Sequence, residues 1–531
     1  MHAPTMKSTT LFVCLLAACI IPSFAAAGGG PSLPPDIIRR IDTADGRRIL
    51  SHLASDFFKG RDTPSTGLDS AARYIIEELR SAGLEPVNGS YIHNYVLERV
   101  DLDTPCTARM VVDGAVQDFA IKTDFVPFEQ TGAAAVSSNK VVFAGFGITA
   151  QEYAYDDYAG LDAKGAIVVI VRGEPEHPTD TTWFNGKRWT RYSPSREKVR
   201  NAKAHGAAAL LMIDAARLRK KLTVSGFPWP SLFPKMKAEA LPLTLPEEPG
   251  KAIPVLHVGD NVINSLFGSV ASLMDRVIGI DSTKTPASFR ADGPTISIDV
   301  RLRRDTVRAR NIVSYVRGSE MPDEYVIMGA HYDHIGVSND STKEDRIYNG
   351  ADDNGSGTTG LLLAAKAIAR SSVKPKRSML FIHFSGEEKG LLGSKAYART
   401  PLLPLDKCVA MINTDMIGRC VDNKLSIGGN TRCPDLARIN EEENGRLDKP
   451  FNLAYDIESY FFRSDQASFA MKKIPVIFYF TGEHEDYHKL TDEVAKIDFD
   501  SMIGIVRLAA STAWRAADIP RTSYVPAGGE D

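Results

Sequence analysis

The spacing of apolar positions changes along the chain. From residue 36 to 58, Ile37, Ile38, Ile41, Ile49, Leu50 and Leu53 recur at helical spacing, with an interruption expected near Asp45-Gly46. Ala72, Ile75, Ile76 and Leu79 predict a second helix over 68–82, stopped by Gly83. Residues 91–128 read as β-rich. From Ile296 to about Ala516, short apolar runs alternate with helical patterns. Runs at 323–329, 378–384, 409–413 and 474–480 predict strands, and the Leu/Ala-rich stretch 358–369 predicts a buried helix. This alternation predicts an α/β fold: a doubly wound, mixed but mostly parallel sheet with helices on both faces.

Composition adds limits. A chain of 531 residues, 43% apolar and 24% charged, has the make-up of a globular protein with two or three cores. A net charge of -3 gives no general reason to expect nucleic acid or an anionic membrane as partner. Lys7, the apolar run 11–21, Pro22 and Ala25-Ala26-Ala27 predict a signal peptide over residues 1–27 and hence export, to the periplasm or medium. The run is too short to span a bilayer. Leu16-Ala-Ala-Cys19 supports a competing reading, a lipid anchor on Cys19, against which the apolar Ile20-Ile21 weighs. Export permits disulfides, and Cys420 and Cys433, flanking a turn, are the better pair; four free thiols are the alternative.

The chemistry sits where the four predicted strands end. The first leads into Gly329-Ala-His331-Tyr-Asp333-His334, with Asn349-Gly-Ala-Asp352-Asp353-Asn354-Gly-Ser-Gly357 opening the buried helix. The second ends in Ser385-Gly-Glu387-Glu388, the third in Thr414-Asp415, and the fourth precedes His484-Glu-Asp-Tyr487-His488. In an open α/β sheet, sites form at carboxyl ends of strands. Imidazoles and carboxylates together suit Zn²⁺. Two ions about 3.5–4 Å apart need one bridging carboxylate and further ligands on each side. Three carboxylates, two neutral imidazoles and a hydroxide balance two dications, and the candidates supply that count.

Several bland readings compete. Asp352 and Asn354 suit the turn itself, since Asx side chains bond nearby backbone. His334 and His383 read as structural. Gly145-Phe-Gly147 after an apolar run resembles a dinucleotide fingerprint, but no helical stripe follows it. His484-Glu485-x-x-His488 matches a single-zinc protease motif, which needs a helix that its position directly after a strand does not favour.

Two resemblances carry the reading further. Residues 131–284 resemble a protease-associated domain through Phe143-Ala-Gly-Phe-Gly147, Asp156-Asp-Tyr-Ala-Gly-Leu-Asp-Ala-Lys-Gly165, Ala202-Lys-Ala-His-Gly206 and Ile253-Pro-Val. That resemblance implies a β-rich α+β insert that contributes no ligand and shapes the entrance to a neighbouring site. The strand-end motifs, with Gly386-Glu-Glu-Lys-Gly-Leu-Leu-Gly-Ser394 and Tyr487-His-Lys-Leu-Thr-Asp492, resemble the co-catalytic dizinc aminopeptidase family. Glutamate carboxypeptidases, transferrin receptor and glutaminyl cyclases are its relatives. The resemblance implies a peptidase region over 34–130 and 285–518, peptide or protein substrates, and two zinc ions per chain. It assigns Asp353 as the bridge, His331 and Asp415 to one ion, and Glu388 and His488 to the other. Glu387 becomes the general base, Asp333 the orienter of His331, and Tyr487 an oxyanion donor. Gln466 departs from the family, many members having His there. A carboxypeptidase, a cyclase and a receptor-like binding protein are the alternatives.

Overall fold

The computed structural model describes residues 32–103, 105–128, 131–186, 189–214, 243–246 and 252–526. The expected signal peptide and Cys19 lie outside these residues. Among the described residues, no helix is long and apolar enough to cross a membrane.

A ten-stranded sheet organises the larger unit. At its centre, Met321–His331 lies between Arg377–Phe384 and Cys408–Thr414, parallel to both, and Val476–Phe480 runs parallel on the far side of Cys408–Thr414. Antiparallel strands extend the sheet outward: Leu302–Val316 and Ile92–Leu102 on one side, Lys424–Gly428 on the other. The four parallel strands are buried almost throughout, which is why they read as continuous apolar runs rather than alternating ones. Their carboxyl ends share one edge of the sheet. Helices Thr43–Leu53, Gly357–Ala369 and Phe499–Asp518 pack together in the same core as these strands.

The first predicted helix breaks elsewhere than expected. Helix Pro35–Arg40 ends at Ile41, and Thr43–Leu53 continues unbroken through Asp45 and Gly46. The Asp42 carboxylate caps the second helix by accepting from the Asp45 backbone N–H at 2.9 Å. Gly46 is kept small by packing, since a methyl there would come within 3.2 Å of Ile503 and 3.4 Å of Leu363.

A second unit interrupts the sheet between Ile92–Leu102 and Leu302–Val316, and its principal core draws on residues from Cys106 to Val300. It holds a six-stranded mixed sheet around the parallel strands Val141–Phe143, Ile167–Arg172, Ala209–Asp214 and Val255–Val258. A four-stranded antiparallel sheet joins Thr107–Val112, Ala115–Phe119, Ala134–Ser138 and Thr295–Val300. The Gly145-Phe-Gly147 loop closes on its own chain: buried Asp157 accepts from the Phe146 and Ile148 backbone N–H groups. Only a two-residue strand and a single 3-10 turn, Gln151–Tyr153, follow it, so it offers no α-helix N-terminus as a phosphate cradle.

Cys106, Cys408, Cys420 and Cys433 are all free, so the expected Cys420–Cys433 bridge is corrected. The two thiols turn to different partners. The Cys433 sulfur is buried and accepts from the Val476 N–H, whereas the Cys420 thiol faces the Lys424 carbonyl.

Candidate metal centre

The site is assembled from loops leaving the shared sheet edge. His331 closes its strand, and its Nε2 lies 3.2 Å from Asp415 Oδ1 and 3.6 Å from Asp353 Oδ1. The other Asp353 oxygen, Oδ2, is 3.1 Å from His488 Nε2, which is equally 3.1 Å from Glu388 Oε2. Asp353 therefore presents one oxygen to each of two clusters. Around tetrahedral Zn²⁺, with ligands at about 2.0–2.2 Å, neighbouring ligand atoms lie roughly 3.3 Å apart. The observed separations have that size, and the donors are imidazole and carboxylate, buried except for the half-buried His488 and the partly buried Glu388. The residues fit two zinc ions.

Two groupings of possible ligands satisfy a single-ion geometry: His331, Glu387 and Asp415, and His334, Asp353 and Glu388. His334 is thus closer to the chemistry than its structural reading allowed. Its Nδ1 lies 2.9 Å from Glu388 Oε1 and 3.7 Å from Asp353 Oδ2. Glu388 is held by an imidazole on each oxygen. His383, by contrast, is buried in its strand, and neither ring nitrogen meets a hydrogen-bond partner.

Backbone devices fix the carboxylates. Gly350 is left-handed at φ 54°, and a side chain there would strike the Asp353 carbonyl and the His334 ring. The Asp352 and Asp353 N–H groups donate to Asp492. Asp352 Oδ1 accepts from the Gly418 N–H at 2.6 Å, and the Asn354 amide donates to the Thr414 carbonyl while accepting from the Gly357 and Met416 N–H groups. These two side chains lock the Asp353 turn to the Asp415 loop, a wider task than holding a local turn.

Asp333 is fully buried and works in two directions. Its carboxylate accepts from the Gly386 N–H at 2.8 Å, the Glu387 N–H at 3.2 Å and the Thr63 hydroxyl at 3.0 Å. Its Oδ1 stands 3.6 Å from His331 Nδ1, whose nearer contact is the Asp333 main-chain carbonyl at 3.2 Å. Asp333 thus anchors the Glu387 loop as firmly as it orients the imidazole.

Sequence reading missed two supports, Arg61 and Ser464. Buried Arg61 donates to the carbonyls of Leu53, Tyr332, Asn349 and Gly350, tying the His331 strand end to the Asp353 turn. Burial lowers its pKa to about 10, with Asp353 and Asp492 opposing that fall. Ser464 donates to Asp415 Oδ2 at 2.8 Å and accepts from Asn413, whose amide also donates to Gln466 at 2.7 Å. Gln466 is wholly buried and donates to the Phe461 carbonyl, so this departure from the family supports the Asp415 loop from behind. No periodicity or short motif marks Arg61 or Ser464; the fold brings them in from distant segments.

The electrostatics are those of crowded acids. Burial, reinforced by Asp415 and Glu388 against the opposing His331, pushes the Glu387 pKa well above the usual carboxylate range. Burial and Glu388 raise Asp353 to about 6. Burial opposes charge on the His488 ring, but Asp353 and Glu388 outweigh it and raise that imidazole to about 10. Tyr487 stacks on His488 with centroids 3.9 Å apart, and burial with the nearby carboxylates keeps its phenol protonated. His331, Asp353, Glu387, Asp415 and Tyr487 line one pocket, whose wall is Met416, Tyr460, Phe478 and Phe480, with Arg463 and Glu483 at 3.4 Å from each other on its rim.

The single-zinc motif is not formed. Residues 481–488 are loop and turn, Glu485 is exposed, and His484 faces Asp352 at 3.2 Å while His488 faces the other cluster.

Residues 311–513 match peptidase family M28 and residues 130–266 match the PA domain. A glutamate carboxypeptidase 2 homolog of Caenorhabditis elegans is 31% identical over 209 residues, 38% of this chain and 25% of the relative. A probable zinc metalloprotease of Pyrenophora tritici-repentis is 27% identical over 257 residues, 40% of this chain and 58% of the relative. The chain therefore spans a quarter to under two thirds of these curated relatives. A solved aminopeptidase from Aneurinibacillus sp. strain AM-1 superposes with a TM-score of 0.49 at 19% identity, covering 93% of this chain and 98% of its own. The match to peptidase family M28 thus covers the segment that carries the metal cluster, and the PA-domain match lies ahead of it.

Proposed function

We propose that the chain is an exported dizinc aminopeptidase that releases N-terminal residues from peptides. The observation that carries this reading is Asp353, one oxygen on each imidazole-carboxylate cluster, with Glu387 beside the first cluster on a buried, anchored loop. His331, Asp415 and Asp353 would hold one zinc, and Asp353, Glu388 and His488 the other, with His334 bracing Glu388. Zinc bound there supplies Lewis acidity and a water of lowered pKa. Glu387 takes the proton of the attacking water and returns it to the leaving amine. Tyr487 donates a hydrogen bond from its hydroxyl, keeping its proton, to the carbonyl oxygen as charge develops there. The apolar and aromatic pocket wall suits a large apolar first side chain. Export rests on the leading pattern Lys7, residues 11–21 and Ala25-Ala26-Ala27. We divide the chain into a peptidase unit and an inserted unit that covers the site entrance; the insert's core runs from Cys106 to Val300, wider than the expected 131–284.

The test is hydrolysis of aminoacyl-anilides by wild type, Glu387→Gln and Glu485→Gln, with zinc counted in each. We expect Glu387→Gln to lose at least about 10³-fold in kcat while keeping about two zincs, and Glu485→Gln to behave as wild type. Collapse in Glu485→Gln alone, with about one zinc per chain, would refute the dizinc reading. A wild type that binds two zincs yet cleaves only peptides with a free C-terminus would make the protein a carboxypeptidase.

A further inference from the structure

The metal site opens beside a second, larger space that its chemistry leaves unused. A cleft of about 700 Å³ lies between helix Ser195–Ala204 of the inserted unit and the segment that follows Glu388 in the peptidase unit, a volume typical of ligand sites. Arg196, Arg200 and Lys203 line it from the helix. Lys389, Lys395 and Arg399 line it from the other wall, and Arg304 closes one end. Among its described lining residues Glu197 is the one carboxylate, and it is shared between Arg196 and Arg200. Lys389 and Arg304 have carboxylate partners outside the lining, Asp62 and Glu98. Lys395 and Arg399 have no carboxylate in contact among the described residues: they donate to the main-chain carbonyls of Gly390 and Pro246. Burial lowers the Lys395 pKa, and Arg196 and Arg399 lower it further against the opposing carboxylates of Asp465 and Glu387, as expected where cations crowd.

We propose that this cleft is a subsite for acidic side chains of the substrate peptide beyond its first residue. The inference rests on the aminopeptidase reading above and names its substrate class. Continuity of chain connects the two spaces: Glu387 and Glu388 are followed at once by Lys389 and Gly390, so a peptide leaving the metal cluster along this loop runs into the cleft. The lining carries cations over aliphatic ground such as Leu243 and Leu392. Its described lining residues include none of the aromatic platforms on which single-stranded nucleic acid stacks. Arginines on the insert's helix and lysines on the peptidase loop bind jointly, so the inserted unit selects substrate as well as covering the site.

The experiment compares Leu-Ala-Ala-Glu-Glu-Glu-Ala with Leu-Ala-Ala-Gln-Gln-Gln-Ala, using leucine anilide as a substrate too short to reach the cleft. kcat/KM is measured at low and high salt for wild type and for the Arg196→Gln/Arg200→Gln double variant. Both arginine side chains are largely exposed, 69% and 80%, so the fold does not depend on them. Wild type should favour the acidic peptide by about fivefold at low salt, and the preference should vanish at high salt and in the double variant. Equal rates on the two peptides by a wild type that cleaves leucine anilide would overturn the subsite alone, as would a preference retained in the double variant. A wild type inactive on all three substrates would overturn the aminopeptidase reading, and the subsite with it.

Discussion

Asp415 is held from two sides, by His331 at 3.2 Å and by the Ser464 hydroxyl at 2.8 Å. A ligand carboxylate so held loses its aim when the outer partner goes, and such losses cost about 10–100-fold in metal affinity. Ser464→Ala should therefore weaken zinc binding by about tenfold in competition with a chelator, with little change in the folded spectrum. Glu388 has an imidazole on each oxygen, and the two imidazoles should not be equal. His488 Nε2 is 3.1 Å from both Glu388 and Asp353, whereas His334 makes one short contact, to Glu388. His488→Gln should remove one zinc from the count, while His334→Gln should keep both ions at reduced affinity; the reverse outcome would make His334 the ligand. The acids and imidazoles of this cluster were legible in sequence because most follow an apolar run, and Asp353 because it opens the buried helix. His334 was not, since its neighbour Glu388 is 54 residues away along the chain. Arg61 and Ser464 were silent for the same reason: a polar side chain aimed inward from a remote loop has no periodic signature.

Lys366 does for the helices what Arg61 does for the loops. It sits within an apolar helix, 5% exposed, and its ammonium reaches Asp45 at 2.8 Å and Glu78 at 2.5 Å, joining three helices. Arg48 also pairs with Glu78, at 2.7 Å. Burial alone would raise the Glu78 pKa, but its hydrogen bonds to Arg48 and Lys366 bring it down to about 2 from an ordinary 4.5. A carboxylate depressed on folding contributes stability above its unfolded pKa, and that contribution is lost as pH falls from about 4.5 toward 2. After allowance for its half-exposed setting, the contribution is about 1–2 kcal/mol. The urea midpoint of Glu78→Gln should thus fall below wild type at pH 6, and the gap should narrow as pH drops through this range. A gap constant with pH would refute the account. Lys366→Met leaves two carboxylates short of a cation and should cost about 2 kcal/mol at neutral pH. Strands were the most legible elements, because burial on both faces leaves long apolar runs. Helix breaks were less so: the Asp45-Gly46 pair looked like an interruption by propensity, yet Asp42 capping and the close approach of Ile503 place the break three residues earlier.

The two units keep separate cores. One gathers residues from Leu33 to Val87 and from Ile312 to Ala517; the other runs from Cys106 to Val300, with a satellite cluster inside the same span. The expected boundaries at 131 and 284 follow changes in sequence texture, whereas strands such as Thr107–Val112 and Thr295–Val300 reveal their allegiance only by pairing with each other across nearly 190 residues. The units are joined by two strand crossings, by the short strand Leu243–Thr244 paired onto Ile92–Leu102, and by a small cluster around Leu243; with their main cores separate they should unfold in separate transitions. Both candidate metal-ligand groups among the described residues lie on loops of the peptidase unit, so zinc bound there should stabilise that unit by mass action, about 2.7 kcal/mol when free zinc is a hundredfold above its Kd. For a unit of this size the matching loss on chelation is a fall of about 5–10 °C in its Tm. Scanning calorimetry with and without EDTA should show two transitions of which one moves and the other stays. Excess zinc should restore the first, and the Arg196→Gln/Arg200→Gln variant should leave that shift intact because its side chains lie on the insert. A single transition, or two that move together, would mean that the interface across the basic cleft couples the cores into one cooperative body. The cleft would then be a structural joint, held by contacts that bind no substrate.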